Sequence, residues 1–212
     1  MAKTNGKGFF NAKNLVLLAL LSAILVVMAF TPLGYLNVGV LAITFNVIPV
    51  AIGAVTLGWK GGAILGGVFG LTSFSQCFGG SVLGTLLFGI SPFKTFIQCM
   101  IPRILMGVCI GLIFALSVKL IKSKSVCFAI TGLFSALLNT AFYMSSLIIL
   151  FGDTDFIQDK WEAIAKGKNV IVFIAAFVGV NALVEALSAT IITAAICTAL
   201  YHSRFFKIKS KD

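Results

Sequence analysis

The run of residues from Val170 to Tyr201 holds a single charged side chain, Glu185, and nearly every other position is apolar. A helix on the surface of a soluble domain needs a charged or polar face, and this run has too few polar residues to form one. The whole chain is 59% hydrophobic and only 10% charged, whereas soluble domains are about 25% charged. Such a chain is predicted to cross a membrane several times.

Segments that span a bilayer must satisfy their own backbone hydrogen bonds, which leaves helices and closed barrels. The apolar runs are long and lack the alternation of barrel strands, about ten residues each. We therefore predict an all-α integral membrane protein, a six-helix bundle formed by one domain over residues 1–212. The predicted spans are 14–30, 41–57, 61–74, 98–120, 126–151 and 170–201. The first is expected to be retained, because it is longer than a signal-peptide core and has no clear cleavage site.

The distribution of lysine and arginine predicts the orientation of the bundle. With the N-terminus in the cytoplasm, most of the 16 basic residues fall on the cytoplasmic side, and both termini lie there. Residues 31–40, 75–97 and 152–169 then become the outer connections. The basic C-terminal tail is interpreted as a solvated segment next to lipid rather than a nucleic-acid site.

Polar side chains inside the predicted spans are few, and a charge at the membrane centre costs ~2.5–3.5 kcal/mol on insertion scales. Each has a structural interpretation, such as interhelical hydrogen bonding or contact with the outer headgroups. Together they also suit a site for a small polar solute, with a guanidinium fork for a carboxylate and amides for hydroxyl or amide groups. The candidate residues are Asn46, Arg103, Asn139, Tyr143, Asn181 and Glu185.

No arrangement of residues in the sequence indicates catalysis. A phosphate-binding G-x-x-x-x-G-K-[ST] loop is missing, and the only histidine, His202, follows the last span. The five cysteines share no metal-ligand spacing, so we expect neither a metal nor a cofactor. Energy for uphill transport would then come from other subunits.

Small residues recur every four positions in two of the spans. Gly58, Gly62, Gly66 and Gly70 predict close packing of the third span, because small side chains let helix backbones approach. Ala19 and Ala23 form a similar pair in the first span. Their spacing leaves open whether they face a helix of this chain or of another protein.

Five segments together resemble the substrate-binding S components of energy-coupling-factor (ECF) vitamin transporters, and among these the pantothenate type. They are "NLVLLALLSAILVVMAFTPLG", "FNVIPVAIGAVTLGWKGGAILGGVFGLTSF", "IPRILMGVCIGLIF", "LLNTAFYMSSLIILFG" and "GVNALVEALSATIITAAI". The resemblance implies a multi-pass protein of the bacterial plasma membrane that captures a vitamin and delivers it to a transmembrane coupling protein and two cytosolic ATPases. It implies that Ala19 and Ala23 contact the coupling protein and that the outer connections 31–40 and 75–97 act as gates.

For pantothenate, the resemblance suggests that Arg103 neutralises the carboxylate while buried asparagines bind the hydroxyls and the amide. Glu185 would repel an anionic ligand, so we expect it to orient Arg103 or an asparagine from a second layer. Three alternatives remain open: an S component for riboflavin or another metabolite, a self-sufficient channel or carrier, and an assembly subunit without a ligand. Arg103 disfavours riboflavin, because riboflavin lacks a carboxylate. The sequence has no internal repeat, and this disfavours a carrier.

Overall fold

The fold is described from a computed structural model of the chain. For residues 35–38, 41–43 and 170–181 only the backbone is described. The described residues are 9–31, 34–38, 41–154, 158, 170–203 and 206.

Helices account for most of the described chain. Among the described residues, five segments are long and apolar enough to cross a membrane, and the second of them extends through a short 3-10 turn, Gln76–Phe78. The helices are α1 (Ala12–Ala29), α2 (Val47–Ser75), α3 (Val82–Ile90), α4 (Pro92–Leu120), α5 (Lys124–Phe151) and α6 (Val170–His202).

Local sequence signals fix several helix starts. The side chain of Asn11 accepts a hydrogen bond from the Asn14 backbone N–H at 2.9 Å and so caps α1. Ser81 caps α3 in the same way through the Gly84 backbone N–H, at 3.2 Å. Pro92 occupies the first turn of α4, where the missing N–H costs nothing.

Helix α2 is interrupted at Gly58, whose φ of 74° and ψ of −168° are not helical. Glycine adopts this positive φ without the steric cost that other residues incur. Residues on either side of the break face each other: a Cβ on Gly61 would lie 3.1 Å from the Gly53 carbonyl oxygen, and one on Gly62 3.2 Å from the Ala54 Cβ. The segments 47–57 and 59–75 therefore fold back on each other.

The second part of α2 packs on α4 through three of the four predicted glycines, Gly62, Gly66 and Gly70, whereas Gly58 lies at the break. A Cβ on Gly66 would lie 3.0 Å from the carbonyl carbon of Arg103, and one on Gly70 would lie 2.9 Å from the Cys99 carbonyl oxygen. Gly62 meets α4 one turn further along, at Gly107. The helix that carries Arg103 is therefore held by contacts between main chains, which only glycine permits.

Every long helix contributes to one apolar core. Fully buried members are Leu25 of α1, Val50 and Leu65 of α2, Met106 of α4, and Phe128 of α5. Ala189 of α6 joins the same core. A second, smaller cluster lies at the end of α5, where α3 packs across it with the residues Leu83, Leu87, Met144, Leu147 and Phe151.

The structure corrects the predicted helix over 41–57. Residues Leu41–Thr44 form a β-strand that pairs antiparallel with Tyr35–Val38, and the helix begins only at Val47. Pairing satisfies the backbone groups that the two strands turn toward each other, so an apolar stretch here is not obliged to be helical. The Phe45 backbone N–H extends the pairing by donating to the Gly34 carbonyl at 3.1 Å.

The segment 75–97, predicted as an outer loop, is largely helical. It contains the 3-10 turn, α3 and the first turn of α4, which begins at Pro92 rather than at residue 98. The predicted connection 31–40 contains the first strand, and four of its residues, 32, 33, 39 and 40, lie outside the described residues.

Candidate substrate site

The centre of the site is Arg103, which α4 carries one residue after an internal proline. Pro102 has no N–H, so the carbonyl of Gln98, four residues earlier, loses its normal helical donor. The guanidinium of Arg103 replaces that donor, since its Nη1 donates to the Gln98 carbonyl oxygen at 3.3 Å. The proline thus gives the arginine a fixed anchor on its own helix.

Two aromatic rings flank the guanidinium. Its central carbon lies 4.1 Å from the ring centroid of Tyr143 on α5 and 5.4 Å from that of Phe69 on α2. Such cation–π contacts gain strength away from water, and Arg103 is only 6% exposed. Its Nε has no hydrogen-bond partner among the described residues. The charge is therefore held inside the protein with hydrogen-bonding capacity left over.

Gln98 is a member of the site that the sequence interpretation missed. Its side chain is fully buried between α4 and α5, where Nε2 donates to the Tyr143 carbonyl at 2.8 Å. The hydroxyl of Ser146 donates to Gln98 Oε1 at 2.6 Å. The sequence signal that could have identified Gln98 is Pro102, four residues later. A proline leaves the carbonyl four residues before it without its helical donor, and Arg103 is next to that proline.

Glu185 of α6 is buried and accepts a hydrogen bond from the Thr44 backbone N–H at 2.7 Å. Thr44 ends the second strand of the hairpin, so the carboxylate ties the hairpin to α6. Asn139 of α5 and Arg103 of α4 lie close enough to the same carboxyl to interact with it electrostatically. No ion pair joins Arg103 to Glu185 in the part of the chain that the structure describes.

Asn46 lies between the hairpin and α2 with no exposed surface. Its backbone N–H donates to Thr44 Oγ1 at 3.3 Å. Neither its side-chain oxygen nor its side-chain nitrogen has a partner within the described ranges, and the Asn139 side-chain oxygen is equally unpaired. Buried amides normally find partners, because an unpaired one costs ~1–3 kcal/mol.

Most of the predicted site residues form one connected group. Hydrogen bonds link Asn46 to Thr44 and Thr44 to Glu185, and Asn139 lies near Glu185. Tyr143, whose ring centroid lies 4.1 Å from the central carbon of Arg103, is one turn from Asn139 on α5. Asn181 lies on the backbone of α6, but its side chain is outside the described residues. The group contains a buried positive charge, the unpaired amide of Asn46 and the unpaired side-chain oxygen of Asn139, a set of groups that suits a small anionic, polar solute.

Comparisons with known proteins agree with this chemistry. The model of the family "ECF transporter, substrate-specific component" matches residues 13–197. The chain belongs to this family. It is therefore the substrate-specific (S) component of an ECF transporter, a multi-pass protein of the cell membrane.

Two curated relatives match over nearly their full lengths. One, from Lactococcus lactis subsp. cremoris, is a "Pantothenic acid transporter PanT", 30% identical over 91% of this chain and 96% of its own. The other, from Leuconostoc mesenteroides subsp. mesenteroides, is a "Pantothenate transporter PanT", 32% identical over 89% of this chain and 92% of its own.

The two small residues predicted as a contact for another protein lie apart from this site. Ala19 and Ala23 are both exposed on α1. The opposite side of α1 is buried, with Leu21 and Leu25 in the core. Large apolar residues surround the two alanines, and Val16 and Val27 are 68% and 60% exposed. This side of the S component is available to lipid or to another membrane subunit.

Proposed function

We propose that this S component binds pantothenate and delivers it for import. The observation that carries the proposal is the buried guanidinium of Arg103, which is stacked on Tyr143 and has no carboxylate partner in the described chain. A buried charge without a counter-ion is costly, and an anionic ligand would offset that cost. Both PanT relatives support pantothenate as that anion.

Each site residue matches one group of the vitamin. Arg103 would bind the carboxylate through a fork of two N–H groups, which a lysine cannot reproduce. Asn46, Asn139 and Asn181 would bind the two hydroxyls and the amide, since an amide side chain both donates and accepts. Tyr143 would form one wall beside the carboxylate. Glu185 would act indirectly, by holding the hairpin that carries Asn46.

We infer that the chain crosses the membrane six times, with both termini in the cytoplasm. The break at Gly58 supports this count, because it divides α2 into two segments that fold back on each other. The lysine and arginine distribution supports the orientation. The connection 31–46 and the end of α5 then face the outside, which opens the Arg103 region toward external vitamin.

The protein would perform no covalent chemistry of its own. A transmembrane coupling protein and two cytosolic ATPases would supply the energy, and the exposed side of α1 around Ala19 and Ala23 would contact the coupling protein. The exposed small residues favour this side, because they let a second helix approach closely within lipid.

Equilibrium binding of radiolabelled pantothenate to the purified, detergent-solubilised protein tests the proposal. We expect saturable binding that unlabelled pantothenate displaces and that biotin and riboflavin do not. Arg103→Ala should abolish binding, and Arg103→Lys should weaken it strongly because the fork is lost. Lys119→Ala is the matched control, since it removes a charge from the exposed end of the same helix.

Riboflavin is the second candidate ligand, because four phenylalanines cluster where the 3-10 turn, α3 and α4 meet. Their ring centroids lie 4.9–6.0 Å apart, and such rings suit a flavin. The residues are Phe74, Phe78, Phe88 and Phe96. Displacement of the label by riboflavin would overturn the assignment to pantothenate, and undiminished binding by Arg103→Ala would overturn the role of Arg103 in binding the carboxylate.

A further inference from the structure

The contacts around Arg103 point to a second residue that determines how a carboxylate is bound. We propose that Gln98 is a positioning residue that fixes the Arg103 guanidinium, and that Pro102 makes the Gln98 carbonyl available for this purpose. The inference rests on the proposed function, in which Arg103 binds the carboxylate of the ligand. It assigns a specificity role to two residues that need not touch the ligand.

The main chain of Gln98 holds one end of the guanidinium. In a regular helix its carbonyl would accept the N–H of residue 102, but Pro102 has none. The carbonyl accepts Arg103 Nη1 at 3.3 Å instead. Within a membrane a freed carbonyl must find a donor inside the protein. The contact with Arg103 is therefore favourable, and it displaces no helical hydrogen bond because Pro102 has no N–H to donate.

The side chain of Gln98 fixes the part of α5 whose aromatic ring covers one face of the guanidinium. Its amide bridges to α5 by donating to the Tyr143 carbonyl at 2.8 Å and accepting from the Ser146 hydroxyl at 2.6 Å. Tyr143 is the residue whose ring lies 4.1 Å from the Arg103 central carbon. One glutamine therefore fixes both the in-plane anchor and the stacking wall of the arginine.

This arrangement leaves one edge of the guanidinium for a ligand. Nη1 is occupied by Gln98, while neither Nε nor Nη2 of Arg103 has a hydrogen-bond partner in the described structure. The Nε–H and Nη2–H groups point the same way along one edge of the planar guanidinium, and that edge matches the two oxygens of a carboxylate. An arginine anchored in this way is preorganised for a carboxylate and offers less to a neutral hydroxyl.

The experiment compares two ligands of the purified full-length protein. They are pantothenate and its alcohol analogue, in which a primary alcohol replaces the carboxylate. Gln98→Met keeps the side-chain volume and removes both amide contacts. For this variant we expect the ratio of the analogue's Kd to the pantothenate Kd to fall by about tenfold or more from the wild-type ratio. The reason is that the hydrogen bonds between the charged Arg103 and the ligand carboxylate weaken when the guanidinium is no longer held in place. Ser146→Ala, a milder change, should lower the ratio in the same direction.

Pro102→Ala separates positioning from folding. The new backbone N–H competes with Arg103 for the Gln98 carbonyl, so the ratio should fall. Thermal stability without ligand should stay the same or rise, because a proline is removed from a helix interior. A purely structural role of these residues cannot lower discrimination while stability holds.

Gln76→Met is the matched control, since Gln76 Nε2 also donates to a main-chain carbonyl of another helix, that of Ala29, at 2.6 Å. It should leave the ratio unchanged. If Gln98→Met and Pro102→Ala keep the wild-type ratio while the wild type prefers pantothenate, the positioning role is refuted and the proposed function stands. A wild type that binds neither ligand refutes both.

Discussion

Gly66 and Gly67 are neighbours in α2, and replacing each by alanine should have different effects on stability. A Cβ on Gly66 would lie 3.0 Å from the Arg103 carbonyl carbon and 3.1 Å from the Ile104 Cα. These are backbone atoms of α4, which cannot rotate away. A Cβ on Gly67 would meet only Ile104 Cγ1, at 4.0 Å, which is an ordinary contact.

The difference between the two variants isolates the cost of the close approach. Both gain the same helix propensity, up to ~1 kcal/mol for glycine to alanine. Only Gly66→Ala also overpacks an interior, which typically costs ~1–3 kcal/mol. Gly67→Ala should therefore be neutral or stabilising, and Gly66→Ala should be less stable than Gly67→Ala by ~1–3 kcal/mol. For a chain of this size each kcal/mol corresponds to about 2–4 °C in Tm.

The assay is thermal unfolding of both purified variants in the same detergent, with pantothenate binding measured in parallel. Gly66→Ala should also bind more weakly, because the added methyl group pushes the α4 backbone at Arg103. Equal Tm values for the two variants would refute the close packing of α2 on α4. Unchanged binding by a destabilised Gly66→Ala would show that the position of Arg103 does not matter.

Three further outcomes follow from the contacts of the site. Glu185→Leu should destabilise the protein by ~1–3 kcal/mol because it leaves the Thr44 N–H unpaired. Glu185→Gln retains an acceptor for that N–H and should weaken binding only moderately. A fully active leucine variant would contradict the role of Glu185 in holding the hairpin. Mild copper-catalysed oxidation should join Cys77 to Cys99, whose sulfurs lie 3.8 Å apart, and mass spectrometry should show the loss of two hydrogens; persistence of both thiols would argue against that packing. Asn46→Leu should raise the Kd for pantothenate without lowering the Tm of the free protein, because its unpaired amide contributes nothing in the absence of ligand; a lower Tm would indicate a structural role.

The apolar runs predicted the helical membrane fold because lipid forces each run to satisfy its own backbone. That rule permits non-helical backbone where protein covers it, and residues 41–44, which were wrongly assigned to a helix, form a strand. It is also silent on short helices outside the spans, and α3 lay in a predicted loop. The glycine spacing did indicate a packing face, since Gly62, Gly66 and Gly70 meet α4.

Side chains of the candidate site were easier to propose from the sequence than their partners. Charges and amides within apolar runs are rare enough to stand out, which is why Arg103, Asn46 and Asn139 were proposed as site residues and stay so. The partner of Glu185 is the backbone N–H of Thr44, 141 positions away in the chain, and no residue type marks a backbone donor. Gln98 was overlooked because its contact with Arg103 depends on the missing N–H of a proline.

The proposed binding of an anion by Arg103 depends on the absence of an ion pair between Arg103 and Glu185 in the described structure. Glu185 is compensated by the hairpin, through Thr44, and Arg103 by Gln98 and two aromatic rings. Had the two charges formed an ion pair, a ligand carboxylate would have to displace Glu185 and leave it buried without a partner, which is strongly unfavourable. Because Arg103 and Glu185 each have a neutral partner, two N–H groups of Arg103 stay available for the ligand carboxylate. The Glu185 carboxylate, which would repel that ligand, instead holds the hairpin in place through Thr44.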